Sequence, residues 1–291
     1  MYLISTTNEK PFFITENFKK IYQLEETTIG DILSKSQDED LNSYFKTQLN
    51  EARLVDELLF SSALPAFINT NAEIWAAGVT YKKSKDARNS ESKNKNSYYD
   101  KVYSAMRPEI FFKSSGKNVA SNLETMYLRN DSKWQVPEPE LGLLLSRKGT
   151  LLGYTIGNDL SCRDIEGENP LYLPQAKIWS KSCAVSNVFL IHNSSIDPYD
   201  FQIDCKIIRN NSTIYSDSTS TKELNRSYEE LILYLTSHYE LEDGSILLTG
   251  TSLVPPESFT LQKKDEIQIK ISNIGTLVNT VLPYRKDEIY A

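Results

Sequence analysis

Between Trp134 and Asp159 two apolar runs, Leu141 to Ser146 and Leu151 to Ile156, flank the polar tetrapeptide Arg147-Lys148-Gly149-Thr150. Short runs bounded by glycine and charge read as strands, and Lys148-Gly149 suits a two-residue hairpin loop. Pairing Arg147 with Thr150 carries the register back along both strands until Glu138 faces Asp159. Glu140 lies two residues from Glu138, so the period of a strand puts it on the same face. Directly opposed side chains have Cβ atoms about 4.5–5.5 Å apart, and three carboxylates therefore crowd one patch of sheet. Like charges that close repel, so one of the three keeps a proton unless a cation intervenes. An all-oxygen cluster without His or Cys suits a hard divalent ion: Mg²⁺, with Mn²⁺ or Ca²⁺ as substitutes. Pro139 between the two glutamates donates no hydrogen bond, which fits a rim position. The plain alternative is an acidic strand face that binds nothing.

Around this hairpin the chain divides in two. Residues 1–65 mix short apolar runs, Tyr2-Leu3-Ile4 and Pro11-Phe12-Phe13-Ile14, with helical candidates entered near Thr28 and spanning Leu41 to Asn50. They read as a small α+β N-terminal domain, and the pattern breaks between Phe60 and Pro65. Residues 66–291 are β-rich, with runs such as Ile203 to Ile208 and the alternating Ile267 to Ile271. One helix stands out among them. Ser227-Tyr228-Glu229-Glu230 is a capping-box sequence, and Tyr228, Leu231, Ile232 and Leu235 recur at helical spacing. The polar stretch from Lys82 to Lys101 reads as a long loop, with Ser84 to Tyr99 as a lid over a site.

Composition removes several classes. With 39 acidic against 32 basic residues, the net charge of −7 argues against nucleic acid as a partner. No run approaches the length of a membrane span, and Met1 to Phe13 lacks the basic and long apolar regions of a signal peptide. The expected location is the cytoplasm. Cys162, Cys183 and Cys205 have neither CxxC spacing nor a secreted context, so neither a disulfide framework nor a thiolate zinc site is expected. His192 and His238 stand outside any motif and read as structural or exposed.

Several motifs together carry a family resemblance. Val136-Pro137-Glu138-Pro139-Glu140-Leu141, Gly153-Tyr154-Thr155-Ile156-Gly157-Asn158-Asp159, Ser161 and Arg163-Asp164 resemble the fumarylacetoacetate hydrolase superfamily, as do Gly250-Thr251 and Ile271-Ser272-Asn273-Ile274-Gly275. Three further stretches are similar to its 2-dehydro-3-deoxy-D-arabinonate dehydratase-like sugar-acid dehydratases: Tyr99 to Tyr103, Arg107 to Lys113 and Glu168 to Lys177. The resemblance implies a mixed β-sandwich roll with a small N-terminal domain, assembled as a homodimer or a dimer of dimers. It implies metal ligands at Glu138, Glu140 and Asp159, an active-site lysine at Lys177, a substrate-contacting threonine at Thr251 and a supporting arginine at Arg163. One position departs from the hydrolytic members: Ser84 stands where they carry a histidine that activates water. Serine does not take a proton near neutral pH, which counts against C–C bond hydrolysis.

The expected reaction is therefore a metal-dependent dehydration of a 2-keto-3-deoxy sugar acid through a metal-stabilised enolate, giving a 2-oxo-5-aldehyde from a pentonate. Lys177 is the candidate to stabilise the oxygen that gains charge. Glu109, in the otherwise apolar run Ile110-Phe111-Phe112, is the candidate acid or base, with a salt bridge to Arg107 or Lys113 as its competing role. Thr251 is placed to bond the substrate carboxylate, or simply shapes a turn. Acylpyruvate-type hydrolysis and decarboxylation of a 2-oxo diacid stay open on the same scaffold. So does a non-catalytic protein that binds 2-oxo acids.

Overall fold

The computed structural model describes residues 1–7, 9–37, 39–55, 64–91 and 98–285. Two mixed sheets dominate it, one of twelve strands and one of five. Leu141, Leu143, Tyr154 and Ile156 of the large sheet share one apolar core with Ile203, Ile207, Ile267 and Ile271 of the small sheet. Leu144 and Phe189, pointing the other way, enter a second core with Leu3, Phe12, Ile14 and Phe45. The run Leu141 to Leu145 is thus covered on both faces, which is why it is apolar without alternation. The exposed-edge strand Ser212–Ser220 is by contrast mostly polar.

The hairpin forms with the expected register but by another route. Its strands are Pro139–Leu145 and Leu151–Asp159, and the turn runs from Ser146 to Thr150 instead of closing at Lys148-Gly149. Ser146 holds it by accepting the N–H of Gly149 at its carbonyl (2.9 Å) and that of Thr150 at its hydroxyl (3.0 Å). The last pair is Leu145 with Leu151, and Leu152 then bulges, so that Leu144 pairs with Gly153 and Pro139 with Asn158. Without that bulge Asn158 would oppose Glu138 and Asp159 would point to the opposite face.

The sequence places helices at Thr28 and Leu41 correctly: Ile29–Lys35, closed by a reciprocal capping box between Thr28 and Asp31, and Leu41–Glu51. Tyr228–Thr236 is capped by Ser227, whose hydroxyl accepts the Glu230 N–H. The Glu230 carboxylate turns to Arg226 at 2.5 Å. The loop expected from Lys82 to Lys101 is helical where described, as Lys82–Glu91 and Tyr98–Ser104; residues 92–97, in the middle of the expected lid, lie outside the described residues. Polar composition misled here, because a helix needs only one packed side: Ser84 is buried while Lys82 and Lys83 are exposed.

Most of the boundary expected at Phe60 to Pro65 also lies outside the described residues. On its N-terminal side the strand Tyr2–Ser5 is hydrogen-bonded antiparallel to Val188–Ile191, so the first strands continue the large sheet. Among the described residues no helix is long and apolar enough to cross a membrane. All three cysteines are buried free thiols.

Candidate active site

Glu138 and Glu140 stand at the start of one hairpin strand and Asp159 at the end of the other, so the antiparallel pairing gathers them at one end of the large sheet. None is more than 3% exposed. One carboxylate oxygen from each lies within 4.8 Å of the others. The backbone holds the pair in place: Asp159 N donates to Glu138 O at 3.0 Å, and Glu138 N to Asn158 Oδ1 at 3.2 Å.

Three cations meet this charge. Lys177, the last residue of the helix Leu173–Lys177, brings Nζ to 2.5 Å from Glu138 Oε2, 3.0 Å from Asp159 Oδ2 and 2.6 Å from Ser161 Oγ. Arg163 Nη2 lies 2.8 Å from Glu138 Oε1. Lys113 Nζ lies 2.6 Å from Asp159 Oδ1. Glu140 is served differently, with no ion pair among the described residues; its Oε2 accepts the N–H of Gly250 at 2.6 Å. Burial pushes its carboxyl well above the ordinary glutamate range, and the charges of Asp159 and Glu138 push it further, against the pull of Lys177 and the Gly250 N–H. A buried carboxyl that resists ionisation beside two others marks a place short of positive charge. Three oxygen donors with no nitrogen or sulfur fit a hard divalent ion there.

Gly250 is required by its surroundings. Its φ is +88°, and a Cβ would lie 2.0 Å from Thr80 Oγ1 and 2.9 Å from the Ala77 carbonyl. Thr80 in turn donates to the Thr249 carbonyl at 2.7 Å, locking the strand end that presents the Gly250 N–H and Thr251. Thr251 is buried, and its Oγ1 accepts the N–H of Leu253 at 3.1 Å.

The carboxylates open onto a cleft lined by Ser84, Glu109, Phe111, Leu173 and Thr251. Glu109 and Phe111 are alternate residues of the strand Glu109–Ser115 and share a face, while the pairing skips Lys113, whose ammonium nevertheless reaches Asp159. Glu109 pairs with Gly78, and a Cβ on Gly78 would lie 2.1 Å from Glu109 Oε2; the carboxylate rests on bare backbone. The Phe111 ring centre is 5.4 Å from Lys177 Nζ.

All six residues singled out for the site, Glu138, Glu140, Asp159, Lys177, Glu109 and Thr251, line this one cleft. Lys113, considered from sequence only as a partner for Glu109, sits on Asp159 instead. The pairing with the strand Glu73–Gly78 skips Lys113, so strand alternation alone does not place it. Ser161 carried no assigned role either, although it accepts from Lys177. No local pattern announces that contact.

Residues 73–282 match the family model described as fumarylacetoacetate (FAA) hydrolase C-terminal. A probable 2-keto-3-deoxyxylonate dehydratase of Haloferax volcanii is 47% identical over 209 residues, covering 72% of this chain and 72% of the relative. A 2-dehydro-3-deoxy-D-arabinonate dehydratase of Saccharolobus solfataricus is 41% identical over 217 residues, 74% of this chain and 73% of the relative. The solved structure of a 2-keto-3-deoxy-D-arabinonate dehydratase complexed with magnesium and 2,5-dioxopentanoate matches with a TM-score of 0.84 at 33% identity, over 98% of this chain and 100% of that one. By its sequence, its two-sheet roll and the carboxylates gathered at the end of its central hairpin, this chain belongs to the fumarylacetoacetate hydrolase family.

Proposed function

We propose that this protein is a divalent-metal-dependent hydro-lyase that dehydrates a 2-keto-3-deoxy sugar acid, giving 2,5-dioxopentanoate from a pentonate. The buried trio Glu138, Glu140 and Asp159, with Lys177 at its mouth, carries this reading. The relatives named as dehydratases of such acids support it. Glu138, Glu140 and Asp159 would hold Mg²⁺, with Mn²⁺ or Ca²⁺ as substitutes, and the bound cation polarises the 2-oxo group and acidifies the carbon-3 protons.

The remaining work falls to the chain. Lys177 orients the substrate and stabilises the oxygen that gains charge as the carbon-3 proton leaves. Glu109 faces the cleft from the opposite strand and is our candidate to take that proton or to protonate the departing carbon-4 hydroxyl. Thr251 uses its oxygen lone pair on the Leu253 N–H, which leaves its own proton to donate to the substrate carboxylate. Phe111 and Leu173 supply apolar walls that keep water from the reacting carbon. Ser84 lines the same cleft and offers no base there for activating water, which favours loss of water over C–C hydrolysis.

Assembly as a homodimer or dimer of dimers, a cytoplasmic location and a division into residues 1–65 and 66–291 belong to this proposal. The test is product identity. Purified protein with Mg²⁺ is expected to convert 2-keto-3-deoxypentonates to 2,5-dioxopentanoate, with carbon-3 deuterium incorporation in heavy water and no turnover in chelator. Rapid cleavage of acylpyruvates with every sugar acid untouched would overturn it.

A further inference from the structure

Lys113 is fully buried, with no exposed surface at all, on a strand whose other site-facing residues line the cleft. A lysine is driven to such a place only if its ammonium finds enough acceptors to replace water. Lys113 Nζ finds three. It donates to the Leu160 carbonyl at 2.8 Å and to the Lys177 carbonyl, and it lies 2.6 Å from Asp159 Oδ1. The Asp159 contact is an ion pair off the hydrogen-bond direction, so charge and not alignment holds that oxygen. The face of the Trp179 ring closes the site, its centre 5.1 Å from Nζ.

These partners are not a random set. Asp159 is one of the three clustered carboxylates, Leu160 fixes the backbone just after it, and Lys177 carries the second ammonium. Ser182 Oγ also donates to the Lys177 carbonyl, at 3.0 Å, so the end of that short helix is held from two sides. Asp159 is gripped by two ammonium groups with different freedom: Lys113 on Oδ1, walled in, and Lys177 on Oδ2, at the cleft.

We propose that Lys113 is a positioning residue for the metal centre: it keeps Asp159 Oδ1 occupied, so that Asp159 offers Oδ2 alone to a divalent cation, and it anchors the main chain from which Lys177 reaches the same cluster. The inference rests on the metal-centre reading of the trio. It assigns Lys113 no contact with substrate. Its role depends on a compact ammonium with donors in three directions, which neither a planar guanidinium nor a neutral side chain supplies.

The test compares wild type with Lys113→Met and Lys113→Gln by calorimetric titration with Mg²⁺ and Mn²⁺, after circular dichroism has established that each is folded. Loss of a group that orients a metal ligand weakens metal binding by about 10–100-fold. That loss is expected in both variants, with kcat falling and KM for the sugar acid changing little once metal is saturating. Folded variants that bind metal within twofold of wild type, even with a lowered melting temperature, would show a purely structural lysine and overturn the inference alone. A wild type that binds neither ion overturns the metal-centre reading and this inference with it. If neither variant folds, the wild type decides. In ¹⁵N-lysine-labelled protein the Lys113 ammonium must stay protected from exchange both with and without Mg²⁺, while that of Lys177 changes. Release of Lys113 on adding Mg²⁺ would overturn the inference.

Discussion

Glu140 shows how one residue can link proton, metal and stability. Its folded-state pKa is raised, chiefly by burial and then by Asp159 and Glu138. A raised carboxyl favours folding most below the unfolded glutamate value, and that contribution is lost as pH rises toward the folded value, because the folded chain holds its proton after the unfolded chain has released it. A divalent cation replaces the proton and reverses the penalty. The gain in melting temperature on adding Mg²⁺ is therefore expected to grow as pH rises from the ordinary glutamate range toward the raised folded value, and apparent Mg²⁺ affinity to fall as the solution is acidified. Thermal scans with Mg²⁺ and with chelator at several pH values measure both. Glu140→Gln should flatten its share of the pH dependence and weaken metal binding together. A metal-induced shift independent of pH would count against this account.

At the scale of elements, the pairing of Glu73–Gly78 with Glu109–Ser115 sets the acid/base candidate. Glu109 occupies space that any residue larger than glycine would claim at position 78. Gly78→Ala meets the far end of a flexible side chain, so the carboxylate can swing aside while the strand stays paired. The expected loss of stability is under about 1 kcal/mol. A displaced acid or base about an ångström out of place costs about a hundredfold in kcat. Paired thermal and kinetic measurements distinguish the outcomes: an active Gly78→Ala enzyme would remove Glu109 from the mechanism. The hairpin makes a related point, since the Leu152 bulge decides which side chain, Asn158 or Asp159, faces Glu138. Metal chemistry on this scaffold depends on one extra residue in one strand.

Over the whole molecule, the two sheets divide the labour. The small sheet buries one face of the central hairpin, and the N-terminal helices, through Ile29, Ile32, Leu41 and Phe45, join the core on the other. Leu3 pairs with Phe189 across neighbouring strands and shares that core with Leu144, Val185, Phe12 and Ile14, so the N-terminal strands extend the sheet beside the active-site strands. A chain begun at residue 66 would uncover that second face of the hairpin and leave Val188–Ile191 with one of its two antiparallel neighbours missing. Such a chain is expected to be aggregation-prone, or to melt well below the full-length protein, in solubility and thermal assays. A soluble, metal-binding fragment of unchanged melting temperature would show that the N-terminal run is dispensable for the core.

Much of this site could be read from a short stretch of sequence because strand geometry is periodic. Glu138 and Glu140 share a face by alternation alone, and an antiparallel hairpin forces the residues flanking its open end to meet. Those rules grouped the carboxylate trio and marked the chain as strand-rich, while the mixed β-roll itself was implied by the resemblance of its motifs to a known family. The register was reached through a wrong turn, since neither the longer loop nor the compensating bulge has a local signature; both answer to packing on the two faces of the sheet. Lys82–Glu91 was hidden for a similar reason: its polar surface says loop, and only tertiary contact selects the side that packs. Tertiary structure alone decided the cationic surround, because Lys113, Arg163 and Lys177 converge on the trio from separate elements. A buried ammonium leaves no periodic trace in the chain. Its place depends on which carbonyls and carboxylates the finished fold leaves in need of a positive charge.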